Sequence, residues 1–104
     1  MPIEYEIRRY NYLKNYKEVV RSVYNIARSI DKDSRIFVFG SVISGKITNS
    51  SDVDILILGH NRKLYNIMYI KILKNVDAPI ELHFVDEDGF KWYSKMASTI
   101  QEYP

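Results

Sequence analysis

Three short apolar runs alternate with amphipathic and polar segments along the chain. The runs cover residues 36–39, 55–58 and 80–85, and they are rich in β-branched and aromatic residues. Gly, Ser, Asp or Pro stands at their ends, which is typical of buried strands. In the third run the apolar residues alternate with Glu81 and His83, so this strand has one mixed face. The pattern predicts a sheet of three strands.

Segments with helical periodicity separate and flank these strands. Residues 16–30 carry apolar side chains three and four positions apart, namely Val19, Val23, Ile26, Ala27 and Ile30. Residues 41–46 fit a short helical turn, and residues 62–73 fit a helix that crosses over to the third strand. A last helix, capped by residues 86–89, is predicted from one apolar stripe: Phe90, Tyr93, Met96, Ala97 and Ile100. The fold class is therefore α/β (α+β), a small mixed β-sheet with helices packed on it.

The first fifteen residues fit two arrangements. Tyr5, Tyr10, Tyr12 and Tyr16 can extend the helix that follows, or they can belong to a separate arm. We interpret these tyrosines as packing material, with a partner surface as the alternative.

Length and composition narrow the classes of function. With 104 residues, of which 46% are hydrophobic, residues 1–104 are expected to form a single domain. A net charge of +2 does not indicate a dedicated nucleic-acid binder, and the absence of cysteine excludes disulfides and thiolate chemistry. No apolar run approaches the roughly 20 residues of a membrane span, and the N-terminus lacks a signal-peptide pattern. We expect a cytoplasmic protein.

Two polar motifs stand at the ends of the predicted strands. Gly40 and Ser41 follow the first run, and ten residues separate them from Asp52 and Asp54, which precede the second. Residues two apart on a strand point the same way, so the two aspartates should present neighbouring carboxylates. Like charges this close need a cation between them, and Mg²⁺ commonly binds one or two carboxylates together with substrate phosphates. If the third strand pairs beside the second, Glu81 completes a cluster suited to in-line phosphoryl or nucleotidyl displacement.

These motifs resemble the nucleotidyltransferase superfamily typified by DNA polymerase beta, and in size the minimal nucleotidyltransferases of archaea and bacteria. The match spans roughly residues 36 to 85. The resemblance implies that Asp52 and Asp54 bind two Mg²⁺ ions, and that Glu81 joins them at the catalytic metal and assists deprotonation of the acceptor.

The resemblance also implies that Gly40 and Ser41 contact the nucleoside triphosphate, expected to be ATP. Glycine allows close backbone approach, and a serine hydroxyl donates hydrogen bonds. Many family members carry a basic residue shortly after this pair, whereas this chain has Val42, Ile43 and Ser44. Lys46 is the candidate that replaces it.

The activity implied is transfer of a nucleoside monophosphate from an NTP to an acceptor hydroxyl. A chain of this length has no room for an acceptor domain, so a partner protein or a homo-oligomer should complete the site. Many minimal members are paired with a small helical HEPN protein and act as the antitoxin of a toxin–antitoxin module, in some cases by adenylylating a toxin tyrosine. The alternative is a binding module with a weak nucleotide site that neutralises a partner by complex formation.

Other polar residues are given simpler interpretations. His83 shares a face with Glu81 and is read as a polar surface residue, and His60 as an exposed loop residue. Residues 86–88 are read as helix caps, not metal ligands. Residues 40–46 have the glycine spacing and lysine of a P-loop, but Ile47 stands where that motif needs Ser or Thr for Mg²⁺, so this reading is not favoured.

Overall fold

The computed structural model describes residues 3–47, 51–97 and 99–104. Its helices are α1 (Ile3–Lys14), α2 (Tyr16–Ile30), α3 (Ser41–Ser44), α4 (Tyr65–Asn75) and α5 (Glu87–Met96). Its strands are β1 (Arg35–Phe39), β2 (Val53–Leu58), β3 (Ile80–Val85) and β4 (Ile100–Tyr103). A 3₁₀ turn, Arg62–Leu64, leads into α4. The predicted mixed sheet with packed helices is confirmed.

The four strands form one sheet in the order β3-β2-β1-β4. β1 runs antiparallel to both β2 and β4, whereas β2 and β3 run parallel. A parallel pair needs a crossover connection, and α4 supplies it between β2 and β3. In this register Asp54 lies opposite Glu81 on one side and Phe39 on the other.

Both faces of β2 are covered, which makes this strand the centre of the core. Val53, Ile55 and Ile57 are fully buried against α2 and α4. Leu56 and Leu58 face the opposite side, where α5 covers them. Asp54 is the one β2 residue that is not buried. The strand is therefore accessible to solvent only near its start, on the same face as Leu56 and Leu58.

The C-terminal part of the chain differs from the prediction. The last helix ends at Met96, and Ala97 has extended backbone. Ile100 begins a strand, so the sheet has four strands and the predicted three is wrong. The prediction of one helix through Ile100 failed because Phe90 of α5 and Ile100 of β4 pack into the same cluster, although they belong to different elements. Met96, in contrast, is 68% exposed.

The N-terminal segment forms a helix of its own. α1 ends at Lys14, and α2 begins at Tyr16, so this segment is neither a continuation of α2 nor an extended arm. Leu13 anchors it in the core, whereas Tyr10 is about half exposed. The side chains of Tyr5 and Tyr12, and loop residues 48–50, lie outside the described part of the chain.

The remaining local predictions agree with the structure. Asp86 caps α5, since its carboxylate accepts a 2.9 Å hydrogen bond from the amide of Gly89. α3 ends at Gly45 as expected. Across the described residues, none of the helices combines the length and apolar character needed to cross a membrane.

Candidate active site

The candidate site lies at the edge of the sheet where β1 ends and β2 and β3 begin. The parallel register places Asp54 beside Glu81 on neighbouring strands. Side chains two apart on a strand share a face, so His83 projects from the same side as Glu81. The sequence prediction that Asp54 and Glu81 meet is therefore matched by the geometry, and a histidine joins them.

Three potential ligand atoms converge at this point. His83 Nε2 lies 3.7 Å from Glu81 Oε1 and 3.9 Å from Asp54 Oδ1. One ligand atom from each of the three side chains lies within 4.8 Å of the other two. The nitrogen-to-oxygen separations exceed those of hydrogen bonds. His83 Nε2 is buried and, within residues 3–47, 51–97 and 99–104, has no hydrogen-bond partner.

His83 is held from behind by α5. Its Nδ1 lies 3.2 Å from the hydroxyl of Tyr93, and the imidazole packs against the rings of Tyr93 and Phe39. Only 23% of its side chain is exposed. The interpretation of His83 as a surface residue is therefore wrong. Its shared face with Glu81 was visible in the sequence, but the docking of α5 that buries it was not.

The environment of Asp54 opposes its negative charge. Burial, the hydrogen bond with Glu81 and the nearby Glu81 charge together raise the pKa of Asp54 from 3.8 to about 6. His83 opposes this rise, and Asp52 adds to it. A divalent cation would favour the ionised carboxylate, since its charge offsets each of these effects.

Asp52 is placed differently from the other two acids. It immediately precedes β2 and is partly buried. Among the described residues, the convergent ligand atoms belong to Asp54, Glu81 and His83, and Asp52 is outside this group. The structure therefore brings the carboxylates of Asp54 and Glu81 together. Asp52 lies near this pair but is not part of the convergent group.

Gly40 permits the close approach of β1 to Asp54. Its backbone has φ 84° and ψ −152°, a region that side chains with a Cβ rarely adopt. A Cβ on Gly40 would also collide with Asp54 Oδ2. The family resemblance assigns Gly40 to nucleotide contact. The structure adds a second reason for glycine at this position, since any side chain there would displace the carboxylate of Asp54.

A groove of about 380 Å³ lies beside the Gly40-Ser41 turn. Its opposite wall is formed by Met96, Ala97 and Thr99, where α5 gives way to β4. Among the described residues the lining does not include Lys46, which is exposed after the left-handed Gly45. The groove is therefore adjacent to Ser41, and among the described residues Lys46 follows the lining Ser44 by two positions without lining the groove itself.

The apolar residues after Ser41 have a structural explanation. Val42 is buried, and Ile43 packs against the same core cluster. A basic side chain at position 42 would have to be buried among apolar neighbours, which is unfavourable without a partner. The packing of α3 on the sheet therefore accounts for the apolar residues at positions 42 and 43, whereas Ser44 is exposed and lines the groove.

The donor set fits a divalent cation. Two carboxylates and one imidazole nitrogen face a common point, and the nitrogen has no other partner. Carboxylate oxygens suit Mg²⁺ and Mn²⁺, and imidazole is a common ligand of transition ions. The arrangement can hold a cation next to Gly40, whose backbone approaches the carboxylate of Asp54.

Comparisons with known proteins bear on the family and the fold of the domain as a whole. A family model described as nucleotidyltransferase domain matches residues 20–103, which is most of the chain. The fold is similar to the crystal structure of a candidate nucleotidyltransferase, with a TM-score of 0.69 and 22% identity, over 81% of this chain and 96% of that one.

A second similar structure is that of a candidate nucleotidyltransferase from Sulfolobus solfataricus, determined at 1.40 Å. Its TM-score is 0.53 at 21% identity, over 97% of this chain and 84% of that one. At these identities the two structures support the fold. A search of curated proteins gives no significant match.

Proposed function

The chain belongs to the nucleotidyltransferase domain family, and from that premise we propose that it transfers AMP from ATP to a hydroxyl group of a protein acceptor, with Mg²⁺ or a related ion at the acidic site. Family members generally use an NTP and a divalent metal. The observation that carries the proposal is the convergence of Asp54 and Glu81 across the β2–β3 register, next to the Gly40-Ser41 turn.

We assign the acids separate roles. Asp52 and Asp54 hold the metal, and Glu81 joins them. When bound, two divalent ions stabilise negative charge on the α-phosphate and on the leaving pyrophosphate. Glu81 is 58% exposed and is therefore accessible to an incoming acceptor. It accepts the proton of the acceptor hydroxyl as that oxygen bonds to the α-phosphorus, and the bond from the α-phosphorus to the pyrophosphate oxygen breaks.

The nucleotide is assigned to the groove beside Gly40 and Ser41. Its volume of about 380 Å³ is in the range of small-molecule sites. The amide of Gly40 and the hydroxyl of Ser41 are suited to donate hydrogen bonds to phosphate oxygens. Neither residue has a bulky side chain that would hold the phosphates away. We assign Lys46, which is exposed two residues after the lining Ser44, as the source of positive charge for the phosphates.

Glu81→Gln is expected to slow transfer by about 10²–10³-fold while nucleotide affinity stays within about threefold, since a positioned base acts on the acceptor and not on the leaving group. Transfer of labelled AMP in single-turnover reactions measures the first quantity, and calorimetry with a non-hydrolysable ATP analogue measures the second.

A matched control is Glu87→Gln, another exposed acid, whose carboxylate bonds His60 away from the site. This variant should transfer at the wild-type rate. If Glu81→Gln does so as well, the base lies elsewhere, and Asp52, the acid beside the site, is the next to test.

We further propose that the acceptor is a small helical HEPN-type protein and that the chain acts in the cytoplasm as the antitoxin of such a pair. The family resemblance motivates this partner, and exposed apolar side chains offer a surface for it. On α1 these side chains are Ile3, Ile7 and Tyr10. On α4 they are Ile67, Tyr69, Ile70 and Leu73. Single exposed apolar residues are ordinary, but clusters of this kind often mark protein contacts.

The acceptor proposal predicts that a helical protein encoded beside this chain gains the mass of one AMP when ATP and Mg²⁺ are present. Intact-mass spectrometry, followed by peptide mapping of the modified residue, measures it. The Asp54→Asn variant is the control that should give no adduct.

Two other outcomes have distinct meanings. A stable complex with no adduct favours the alternative function, neutralisation of a partner by binding alone. A strictly monomeric protein that modifies a free small-molecule hydroxyl contradicts the antitoxin role. Light scattering after gel filtration gives the oligomeric state, and mass spectrometry detects the modified product.

A further inference from the structure

We propose that His83 supplies a nitrogen ligand to the divalent cation held by Asp54 and Glu81, so that the site favours transition ions such as Mn²⁺ over Mg²⁺. The inference rests on the proposed function in one respect, namely that a cation binds at these acids. It goes further by adding a ligand that sequence reasoning assigned to the surface and by predicting which ions the site prefers.

The position of His83 Nε2 is the main observation. This atom is buried, and the described part of the chain offers it no hydrogen-bond partner. Buried polar atoms are nearly always paired, so an unpaired one needs an explanation such as an ion. The two nearest oxygens, Glu81 Oε1 at 3.7 Å and Asp54 Oδ1 at 3.9 Å, are too far for hydrogen bonds. A cation between the three atoms would give each of them a partner.

The opposite side of the imidazole supports the same role. His83 Nδ1 lies 3.2 Å from the Tyr93 hydroxyl. A metal-ligating histidine usually donates its other ring N–H to a hydrogen-bond acceptor, which fixes the tautomer and the ring orientation. With Nδ1–H donating to Tyr93, the lone pair of Nε2 faces the two carboxylates. Phe39 packs against the ring and limits its rotation.

The competing explanation is that His83 is itself the cation and forms ion pairs with both acids. In that arrangement Nε2–H would donate a charge-assisted hydrogen bond, and such bonds are shorter than about 3 Å. The observed separations are longer than this by more than half an ångström. The two explanations also predict opposite effects: removing a cationic histidine would strengthen metal binding, whereas removing a ligand weakens it.

The nature of the donor determines the expected preference. Imidazole binds transition ions well, whereas Mg²⁺ prefers oxygen ligands. In His83→Gln an amide oxygen replaces the nitrogen. We therefore expect this substitution to weaken Mn²⁺ binding by about 10–100-fold and to change Mg²⁺ binding by less than about threefold.

The test is calorimetric titration of the full chain with Mn²⁺ alone and with Mg²⁺ alone. Wild type, His83→Gln and Asp54→Asn are compared, and thermal unfolding verifies that each variant is folded. His60→Gln is the control, since His60 is an exposed histidine bonded to Glu87. The visible absorption spectrum of bound Co²⁺ gives an independent readout, because loss of a nitrogen ligand shifts its bands.

Tyr93→Phe provides a second variant that keeps the imidazole and removes its orienting hydroxyl. Its Mn²⁺ affinity should fall by about 3–10-fold, less than in His83→Gln. This variant keeps the proposal testable if His83→Gln does not fold.

The outcomes separate this inference from the proposed function. If Asp54→Asn loses metal binding but His83→Gln and Tyr93→Phe bind Mn²⁺ as tightly as wild type, His83 is not a ligand and the acidic metal site stands. Tighter Mn²⁺ binding by His83→Gln supports the cationic histidine instead. If Asp54→Asn binds both ions like wild type, the metal is not at these acids, and both proposals fail.

Discussion

Asp54→Asn is expected to reduce nucleotide transfer by at least about 10³-fold, because it removes a charged ligand at the centre of the proposed metal site. Asp54 lies between Glu81 on β3 and Phe39 at the end of β1, so its carboxylate sits beside that of Glu81 in the centre of the site. Single-turnover transfer of labelled AMP measures the loss. A residual rate within tenfold of wild type would contradict the assignment of Asp54.

The same substitution should stabilise the metal-free protein at neutral pH. The pKa of Asp54 is about 6 in the folded chain, against an ordinary value of 3.8. Between these values the folded state binds more protons than the unfolded state, so the free energy of unfolding falls as the pH rises. The loss approaches completion about one pH unit above the folded pKa of about 6. Asparagine carries no charge, so the Asp54→Asn variant does not undergo this fall in the free energy of unfolding.

The expected gain is modest. The pKa difference sets an upper bound of about 3 kcal/mol, and solvent around the partly exposed carboxylate reduces this to about 1–2 kcal/mol. The gain should therefore be near zero at pH 4 and reach its full value near pH 7.5. Urea unfolding at the two pH values, with chelator present, measures it. Mn²⁺ should narrow the difference, since binding to the folded wild type stabilises it.

Asp77→Asn is the matched control for this pH dependence. Asp77 is an exposed loop aspartate that follows α4. Its replacement should change the free energy of unfolding by less than about 0.5 kcal/mol at either pH. An equal gain in both variants would show that overall net charge, and not the site, causes the effect.

The features predicted correctly from the sequence are those that depend on local alternation. The apolar run of β2 and the two-residue period place Asp54 on the face opposite Val53 and Ile55, as expected. The alternation in β3 likewise brings Glu81 to Asp54 once the strands pair. Each of these inferences needs only the geometry of one strand and one pairing.

The features missed depend on contacts between distant segments. β4 has only four residues, too few to reveal a two-residue period, and its Ile100 continued the stripe of α5 by chance. The burial of His83 is caused by Tyr93, which α5 brings over the sheet. A sequence pattern describes which face a side chain takes on its own element, but it does not say what covers that face.

Gly40→Ala is expected to lower the free energy of unfolding by about 2–4 kcal/mol and to disable transfer. Two effects combine at this position. The backbone conformation, φ 84° and ψ −152°, is strained for any residue with a Cβ. The added methyl group would also collide with the carboxylate of Asp54. Chemical denaturation and the transfer assay measure the two consequences.

Gly45→Ala is the matched control, because Gly45 also has positive φ, at 80°, and lies at the other end of α3. A Cβ on Gly45 would meet nothing within 4 Å. Only backbone strain remains, so we expect a loss of about 1–2 kcal/mol. Transfer should be retained, since the substitution leaves Asp54 undisturbed.

A double-mutant cycle separates the collision from the strain. In an Asp54→Ala background the carboxylate is absent, so Gly40→Ala should be less destabilising by about 1–2 kcal/mol than in wild type. Gly45→Ala should show no such dependence on Asp54. If the effect of Gly40→Ala is the same in both backgrounds, its contact with Asp54 has no energetic weight. Gly40 would then be required for its backbone conformation alone. The Gly-Ser turn and the acidic site would be neighbours without an energetic coupling between Gly40 and Asp54.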